Sequence, residues 1–238
     1  MRSPTTRRSS LTWCPPAGVT RDRGRRIAAT EHGRPLMRYC PNCSQPLTTK
    51  FDGGRDRLAC PDDGCGFIHF GNFSIGAAAV VMRHGKALLI QRGQNPGRGS
   101  WQIPGGYVEH DEPILEAVER EVLEEASVVA KARDVIGFRH SIGGSIGGPS
   151  TNLYVVFRLD YIEGEPAYDN DEVIGAGFYS LDEMSQMDSV QGLSRWAIDK
   201  AIRAEALGGL HPENGATSMP ARPGWQLFGL PHVDRDLM

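Results

Sequence analysis

The segment from Pro104 to Glu125 constrains this 238-residue chain more than any other. It reads Pro-Gly-Gly-Tyr-Val-Glu-His-Asp-Glu as far as Glu112, and after Pro113 it continues to Arg120-Glu121-Val122-Leu123-Glu124-Glu125. Ile114, Leu115, Val118, Val122 and Ala126 recur at three- and four-residue steps, which predicts one helix over 113–126 with Pro113 in its first turn. At about 100° per residue, with Glu121 at zero, Glu125 lies near 40° and Glu124 near −60°. Val118, Val122 and Ala126 occupy about 60° to 140° on the same wheel. The fold must therefore bury one stripe of this helix and leave a row of carboxylates beside it.

Three carboxylates held together raise one another's pKa unless cations compensate. Hard divalent ions with oxygen ligands are the natural compensation, Mg2+ above all, with Mn2+ as the substitute. Gly105 and Gly106 let the backbone bend and come close to a metal or a phosphate. Arg120 stands between Glu116 and Glu124 in helical register, where it can hold the acidic edge. Glu116 and Glu119 read as an ordinary solvated face. A diphosphate substrate gives the edge a chemical purpose, because a bound divalent ion neutralises phosphate oxygens and lowers the pKa of a water ligand.

From Gly106 the spacing is five residues, Glu112, seven residues, then Arg-Glu-Val-Leu-Glu-Glu from Arg120. This pattern resembles the Nudix box, G-x5-E-x7-R-E-U-x-E-E-x-G-U with U aliphatic, at every specified position except the last glycine, which is Ser127. Ser tolerates positive φ less well than Gly, but the departure touches no carboxylate. The resemblance implies an α/β/α sandwich around a mixed sheet, with Glu121 and Glu125 as principal metal ligands and Glu124 as a ligand or bridge. A Gly105-Gly106 carbonyl often joins them in the family, and a later loop often adds a carboxylate. Glu172 in Asp169-Asn170-Asp171-Glu172 is the candidate, Asp171 the runner-up, and a plain solvated loop an equal reading. The residues do not say which carboxylate deprotonates the attacking water.

Four of the five cysteines fall in Cys40-x2-Cys43 and Cys60-x4-Cys65. Two close pairs of thiolates at this separation suit tetrahedral Zn2+, and crowding of this kind fits a reducing compartment, the cytoplasm, better than a disulfide framework. Gly64 and Gly66 permit the tighter second knuckle. His69 reads as a residue of the following strand. The module resembles the zinc ribbon that precedes the catalytic domain in NADH pyrophosphatases and related enzymes, and a four-sulfur site has no open position for catalysis.

Hydrophobic residues make up 39% and charged residues 23%, which excludes a chain disordered throughout. The longest apolar run, Ala77 to Met82, is far short of a membrane span. Residues 1–38 carry nine arginines against Asp22 and Glu31, 9 − 2 = +7, so the rest carries −3 − 7 = −10. Their Arg, Ser, Pro and Gly content predicts a disordered basic arm. Pro15, Pro16, Gly18 and Gly24 argue against an amphipathic transit helix, and Met37 is the favoured start of translation. An acidic body repels polyanions unless bound cations reverse its field. With no aromatic–basic stripe, nucleic acid is a disfavoured partner.

The organisation expected is an arm over 1–38, a ribbon over 39–70, a Nudix domain over 71–206 and a Pro/Gly-rich tail over 207–238. Within the domain, 75–82 and 87–91 form a hairpin, 152–161 and 174–179 are strands, and 193–206 is a closing helix. Trp101 is read as core. The Gly-rich stretch 142–148 lacks a P-loop ending and is read as a mobile hairpin loop. Arg92 is the candidate for substrate phosphate; Arg98, Arg139 and His140 are weaker ones.

NADH pyrophosphatases carry a Ser-Gln-Pro-Trp-Pro-Phe-Pro motif after the box, and this chain has none, so ADP-ribose or FAD is favoured over NADH. Two rivals stand beside a nucleoside-diphosphate hydrolase: a non-catalytic nucleotide sensor, and a hydrolase directed at RNA caps or oligonucleotides. A homodimer is the partner state considered, and the residues do not specify the oligomeric state.

Overall fold

Apolar runs flanked by turns build most of the second half of the chain, and a metal-type cluster with one hairpin builds the first. The computed structural model describes residues 30–31, 34–35, 37–142, 151–213 and 226–230. The chain divides into two compact units, Met1–Phe70 and Gly71–Met238. Residues 1–29, 32–33 and 36 of the basic arm lie outside the described residues; Thr30–Glu31 pairs antiparallel with Arg34–Pro35.

The first unit is organised by β1 (Thr48–Asp52) and β2 (Arg55–Ala59), an antiparallel pair in the register Lys50↔Arg57. Gly53 and Gly54, both at positive φ, make the turn between them. The bridge Tyr39↔Pro46 closes the first cysteine-bearing loop on itself, and Ala59↔Ile68 ties the second to this hairpin. The Arg57 guanidinium lies 4.6 Å over the Phe70 ring and pairs with Asp52 at 3.2 Å.

In the second unit the run Ala77 to Val81 is buried on both sides of its strand. That pattern belongs to the middle of a sheet covered on two faces. It lies in β3 (Phe73–Arg83), which turns at His84-Gly85 into β4 (Lys86–Arg92). The short β5 (Trp101–Gln102) and β6 (Gly105–Tyr107) follow, then α1 (Ile114–Ala126), β7 (Val129–Ile142), β8 (Thr151–Glu163) and β9 (Val173–Tyr179). After them come α2 (Leu181–Ser185) and α3 (Gly192–Leu207), and then β10 (His211–Glu213) and β11 (Leu227–Gly229), paired with each other.

The sheet order is β9-β4-β3-β8-β7, with β5 on β4 and β6 on β3. Only β3 and β8 run parallel, in the register Ala77↔Val155, so the sheet is mixed. The β3–β4 ladder pairs only Met82↔Ala87 and Arg83↔Lys86. Beyond that the two strands part, and β5 and β6 enter the gap.

Alternation along β3 divides the core. Ala77, Ala79 and Val81 pack with Val118, Val122 and Ala126 of α1, while Ala78 and Val80 pack with Met184, Ala197, Ile198 and Ala201 of α2 and α3. The architecture is the expected α/β/α sandwich around a mixed sheet.

The hairpin, the box helix, the strands in 152–161 and 174–179 and the closing helix all form, with ends one or two residues longer in places. Pro113 stands one residue before the helix, at φ −65° and ψ 140°, and not in its first turn. The long strand β7 and the short helix α2 were not anticipated, and part of the 207–238 tail is strand. The Gly-rich stretch 142–148 lies outside the described residues after Ile142.

Candidate active site

The gap between β3 and β4 brings the Gly105-Gly106 turn against the acidic edge of α1. Glu125, one helical turn from Glu121, is buried and accepts a 2.7 Å hydrogen bond from the Gly105 amide. Gly105 is required here, because at φ +151° a β-carbon would stand 2.3 Å from the Ala77 carbonyl oxygen; at Gly106 one would stand 2.4 Å from the Glu121 carboxylate and push it aside.

Arg120 reaches three carboxylates with one guanidinium: Glu112 at 2.8 and 3.1 Å, Glu121 at 3.0 Å and Glu124 at 2.8 Å. It also approaches the Tyr107 carbonyl at 3.4 Å. Glu116, expected as a neighbour from helical register, is not among these partners, because the guanidinium turns toward Glu112 at the start of the helix. Glu124 remains exposed, whereas Glu121 is largely covered.

The electrostatics follow from this placement. Burial first, then Glu121 and Glu172, push Glu125 up to about 8, against the opposing pull of the Gly105 amide and Arg92. Burial likewise raises Glu121, with Arg120 opposing it. Glu112 is held low by its hydrogen bonds from Arg120 and the Glu109 amide.

The loop after β8 brings a further carboxylate. Asp169 accepts hydrogen bonds from the amides of Asp171, at 2.9 Å, and Val173, at 3.0 Å, and the Glu172 carbonyl accepts from the Gly93 amide at 2.7 Å. Of the two candidates, Glu172 is the one whose charge bears on both Glu121 and Glu125. Asp171 instead accepts a 2.7 Å bond from the Gln94 side chain.

The other named residues fall as follows. The charge of Arg92 bears on Glu125, while its Nε donates to the Pro96 carbonyl at 3.1 Å. Arg139 hydrogen-bonds to Asn152 on the neighbouring strand, and His140 is exposed. Trp101 meets Tyr179 edge-on with ring centroids 5.2 Å apart, the packing role expected of it. Sequence reasoning missed Tyr154, whose phenol is close enough to feel Glu125, Glu121, Arg139 and Arg92. A lone Tyr in an apolar strand carries no signal of that neighbourhood, but the Gly facing it across the ladder, Gly76, does.

Carboxylates raised first by burial and then by one another's charge, next to an amide turn with no side chains, offer hard oxygens of the kind a divalent cation such as Mg2+ takes. The cysteines form a different set. Cys40 and Cys65 sulfurs are 3.6 Å apart, Cys43 and Cys60 sulfurs 3.5 Å, and all four lie within 4.8 Å of one another. A tetrahedron of sulfurs about 2.3 Å from zinc has edges of about 3.8 Å, whereas a disulfide needs roughly 2 Å. The cluster is therefore compatible with zinc, and all four cysteines are free. Asp62 closes the longer knuckle by accepting from the Gly64 and Cys65 amides at 2.9 and 3.0 Å. Burial pushes the Cys60 thiol up to about 12; at Cys40 burial is outweighed by backbone N–H groups of Asn42 and Cys43, which hold it at about 7. His69 is not a member of the cluster.

Fold and site together define a class of protein. The sequence model of the NUDIX domain family matches residues 73–198, more than half of the chain, and the chain belongs to that family. Among curated relatives, an ADP-ribose pyrophosphatase of Methanocaldococcus jannaschii is 32% identical over 48% of this chain and 66% of its own length. The NAD-capped RNA hydrolase NudC of Stutzerimonas stutzeri is 28% identical over 68% of this chain and 55% of its own. The chain thus spans between half and two-thirds of these relatives. A crystal structure of a NUDIX hydrolase from Nitrosomonas europaea superposes with a TM-score of 0.57 at 22% identity, covering 73% of this chain and 94% of that one. This last likeness speaks for the fold alone. Among the described residues, no helix is long and apolar enough to cross a membrane.

Proposed function

We propose that this protein is a Mg2+-dependent hydrolase that cuts the diphosphate linkage of a nucleoside diphosphate derivative, with ADP-ribose or FAD favoured over NADH. The observation that carries the reading is buried Glu125 beside largely covered Glu121 at the Gly105-Gly106 turn, with the charge of Glu172 bearing on both. Glu121, Glu125 and Glu172, with Glu124 at the exposed end, would hold the cation, and Mn2+ can replace it. When bound, the cation supplies charge neutralisation at phosphate oxygens and a more acidic water.

The chain's own residues do the rest. The Gly105 amide orients Glu125, Arg120 positions Glu121 and Glu124, and Arg92 offers a cation to the departing phosphate. The name of the Methanocaldococcus relative, an ADP-ribose pyrophosphatase, supports ADP-ribose. The name of the Stutzerimonas relative favours a second reading, a diphosphate within an NAD-type RNA cap, against the expectation that nucleic acid is a disfavoured partner. In either case the ribbon, 39–70, holds structural Zn2+ on Cys40, Cys43, Cys60 and Cys65, catalysis belongs to 71–206, and free thiols suit a reducing cytoplasm.

The test is a phosphatase-coupled assay with Mg2+ across ADP-ribose, FAD, NADH, NAD-capped RNA and nucleoside triphosphates. Turnover on a diphosphate-linked substrate should fall at least about 10^3-fold in Glu125→Gln, beyond the 10–100-fold typical of losing an outer-shell partner. Nucleotide binding without turnover on any substrate would replace the hydrolase with a sensor.

A further inference from the structure

One row of the sheet crosses the candidate site and is not used by the carboxylates. Tyr107, Gly76, Tyr154 and Arg139 are paired in succession across β6, β3, β8 and β7. At Gly76 a β-carbon would stand 2.2 Å from the Tyr154 ring, so the missing side chain is what lets that ring lie over β3. The Arg139 guanidinium covers the same ring, 5.4 Å from its centroid. Arg139 is in turn held by Asn152, whose amide donates to the Ser74 hydroxyl at 2.8 Å. Among the described residues, the Tyr154 hydroxyl makes no hydrogen bond.

The surroundings of that phenol are those of the site. Burial first, then Glu125 and Glu121, keep it protonated, while Arg139 and Arg92 pull the other way. An O–H donor on a ring covered by a guanidinium, within reach of the charges of Glu125 and Glu121, is suited to an anion that both groups can bind. This inference deepens the diphosphate reading and rests on it for the ligand's class.

We infer that Tyr154 and Arg139 form a phosphate-binding subsite, in which the Tyr154 hydroxyl and the Arg139 guanidinium donate to oxygens of the substrate diphosphate and set it against the carboxylate edge. The rest of the row has supporting work: Gly76 admits the ring, and Asn152 and Ser74 fix the guanidinium.

The experiment measures binding of Mg2+–ADP-ribose and Mg2+–pyrophosphate by calorimetry, with kinetics and melting, in the wild type, Tyr154→Phe, Arg139→Met and Arg139→Lys. Tyr154→Phe keeps the ring over Gly76, so melting should be unchanged while Kd and KM rise about tenfold or more, the loss expected for a hydrogen bond to a charged partner. Arg139→Met should weaken both ligands similarly, and Arg139→Lys should recover part of the loss through charge alone. Unchanged Kd and KM in Tyr154→Phe and Arg139→Met overturn the subsite. Wild-type protein that binds both probes and cleaves nothing, with binding still lost in the variants, keeps the subsite and removes the hydrolase. Wild-type protein that binds neither probe removes both.

Discussion

The chain carries two clusters of candidate metal ligands built on opposite plans. In the first unit four sulfurs stand within 4.8 Å of one another, each pair within 3.6 Å across the knuckles, held by backbone turns at Asp62 and Gly66. In the second, the carboxylates do not close: Arg120 draws Glu121 and Glu124 to one side, the Gly105 amide holds Glu125, and Glu172 comes from a separate loop. A closed set fills a metal's coordination sphere and stabilises a fold. An open set keeps ligand positions for water and substrate. The difference lies in what restrains the ligands, backbone in one case and a competing cation in the other.

The comparison breaks most decisively at the cysteines. Cys40→Ser should take bound zinc from one equivalent to none and leave 37–70 open to proteolysis, since structural zinc is worth about 10–16 kcal/mol in small zinc modules. The Gly71–Met238 unit should keep its own melting transition. Zinc retained at full occupancy would show that the cluster is not a four-sulfur site.

The open set should respond to its restraint instead. Arg120→Met should raise the Mg2+ concentration needed for half-maximal turnover by about 10–100-fold, the range for lost outer-shell support. Turnover at saturating Mg2+ should recover. A loss that excess Mg2+ leaves untouched would make Arg120 a substrate contact.

With Glu125 as a ligand of the proposed cation, protons would compete with it there. Its pKa is raised to about 8, so the folded, metal-free protein is protonated there at neutral pH. Cation binding then displaces one proton, and Mg2+ affinity measured by calorimetry should rise about tenfold per pH unit below 8 and level off above it. The same shift has a stability sign. The unfolded chain loses this proton first, so metal-free stability falls as pH rises from the ordinary carboxylate range toward 8. A pH-independent affinity would mean that Glu125 is already ionised or is not a ligand.

The smallest expected effect concerns the end of the helix that bears the edge. Ser127 stands at φ +55°, and its amide caps the Leu123 carbonyl. Left-handed backbone costs an L residue about 1–2 kcal/mol. Ser127→Gly should therefore raise thermal stability by about 1 kcal/mol, read as a melting shift, with turnover unchanged.

What the sequence disclosed followed from spacing. The helix with its three carboxylates, the β3–β4 hairpin and the cysteine pairs are local patterns, and each is legible from fewer than thirty residues. β7 was hidden because its inward positions are not all apolar. Asp134 is fully buried against Arg158, and register shifts beside Phe157 and Leu159 break the two-residue period. α2 has a legible capping box, Ser180 with Glu183, but only five residues. Tyr154 gives no signal of its own, because its place in the site depends on a pairing with Gly76 nearly eighty residues away, and Gly76 shows only that something lies close to that strand.

That same pairing has a consequence for how the protein is made. Every β3 residue matched to β8 waits for a partner 78 positions later, from Phe73↔Thr151 to Met82↔Asp160. At about 5–20 residues per second, synthesis leaves the Ala77–Val81 stretch without that neighbour for roughly 4–16 s. The β3–β4 turn pairs only its last two rungs in that interval. β4 waits longer still for β9, from 81 positions at Arg92↔Val173 to 92 at Ala87↔Tyr179, so the apolar centre of the sheet emerges well before the strands that flank it and is a segment on which a chaperone at the ribosome exit would act.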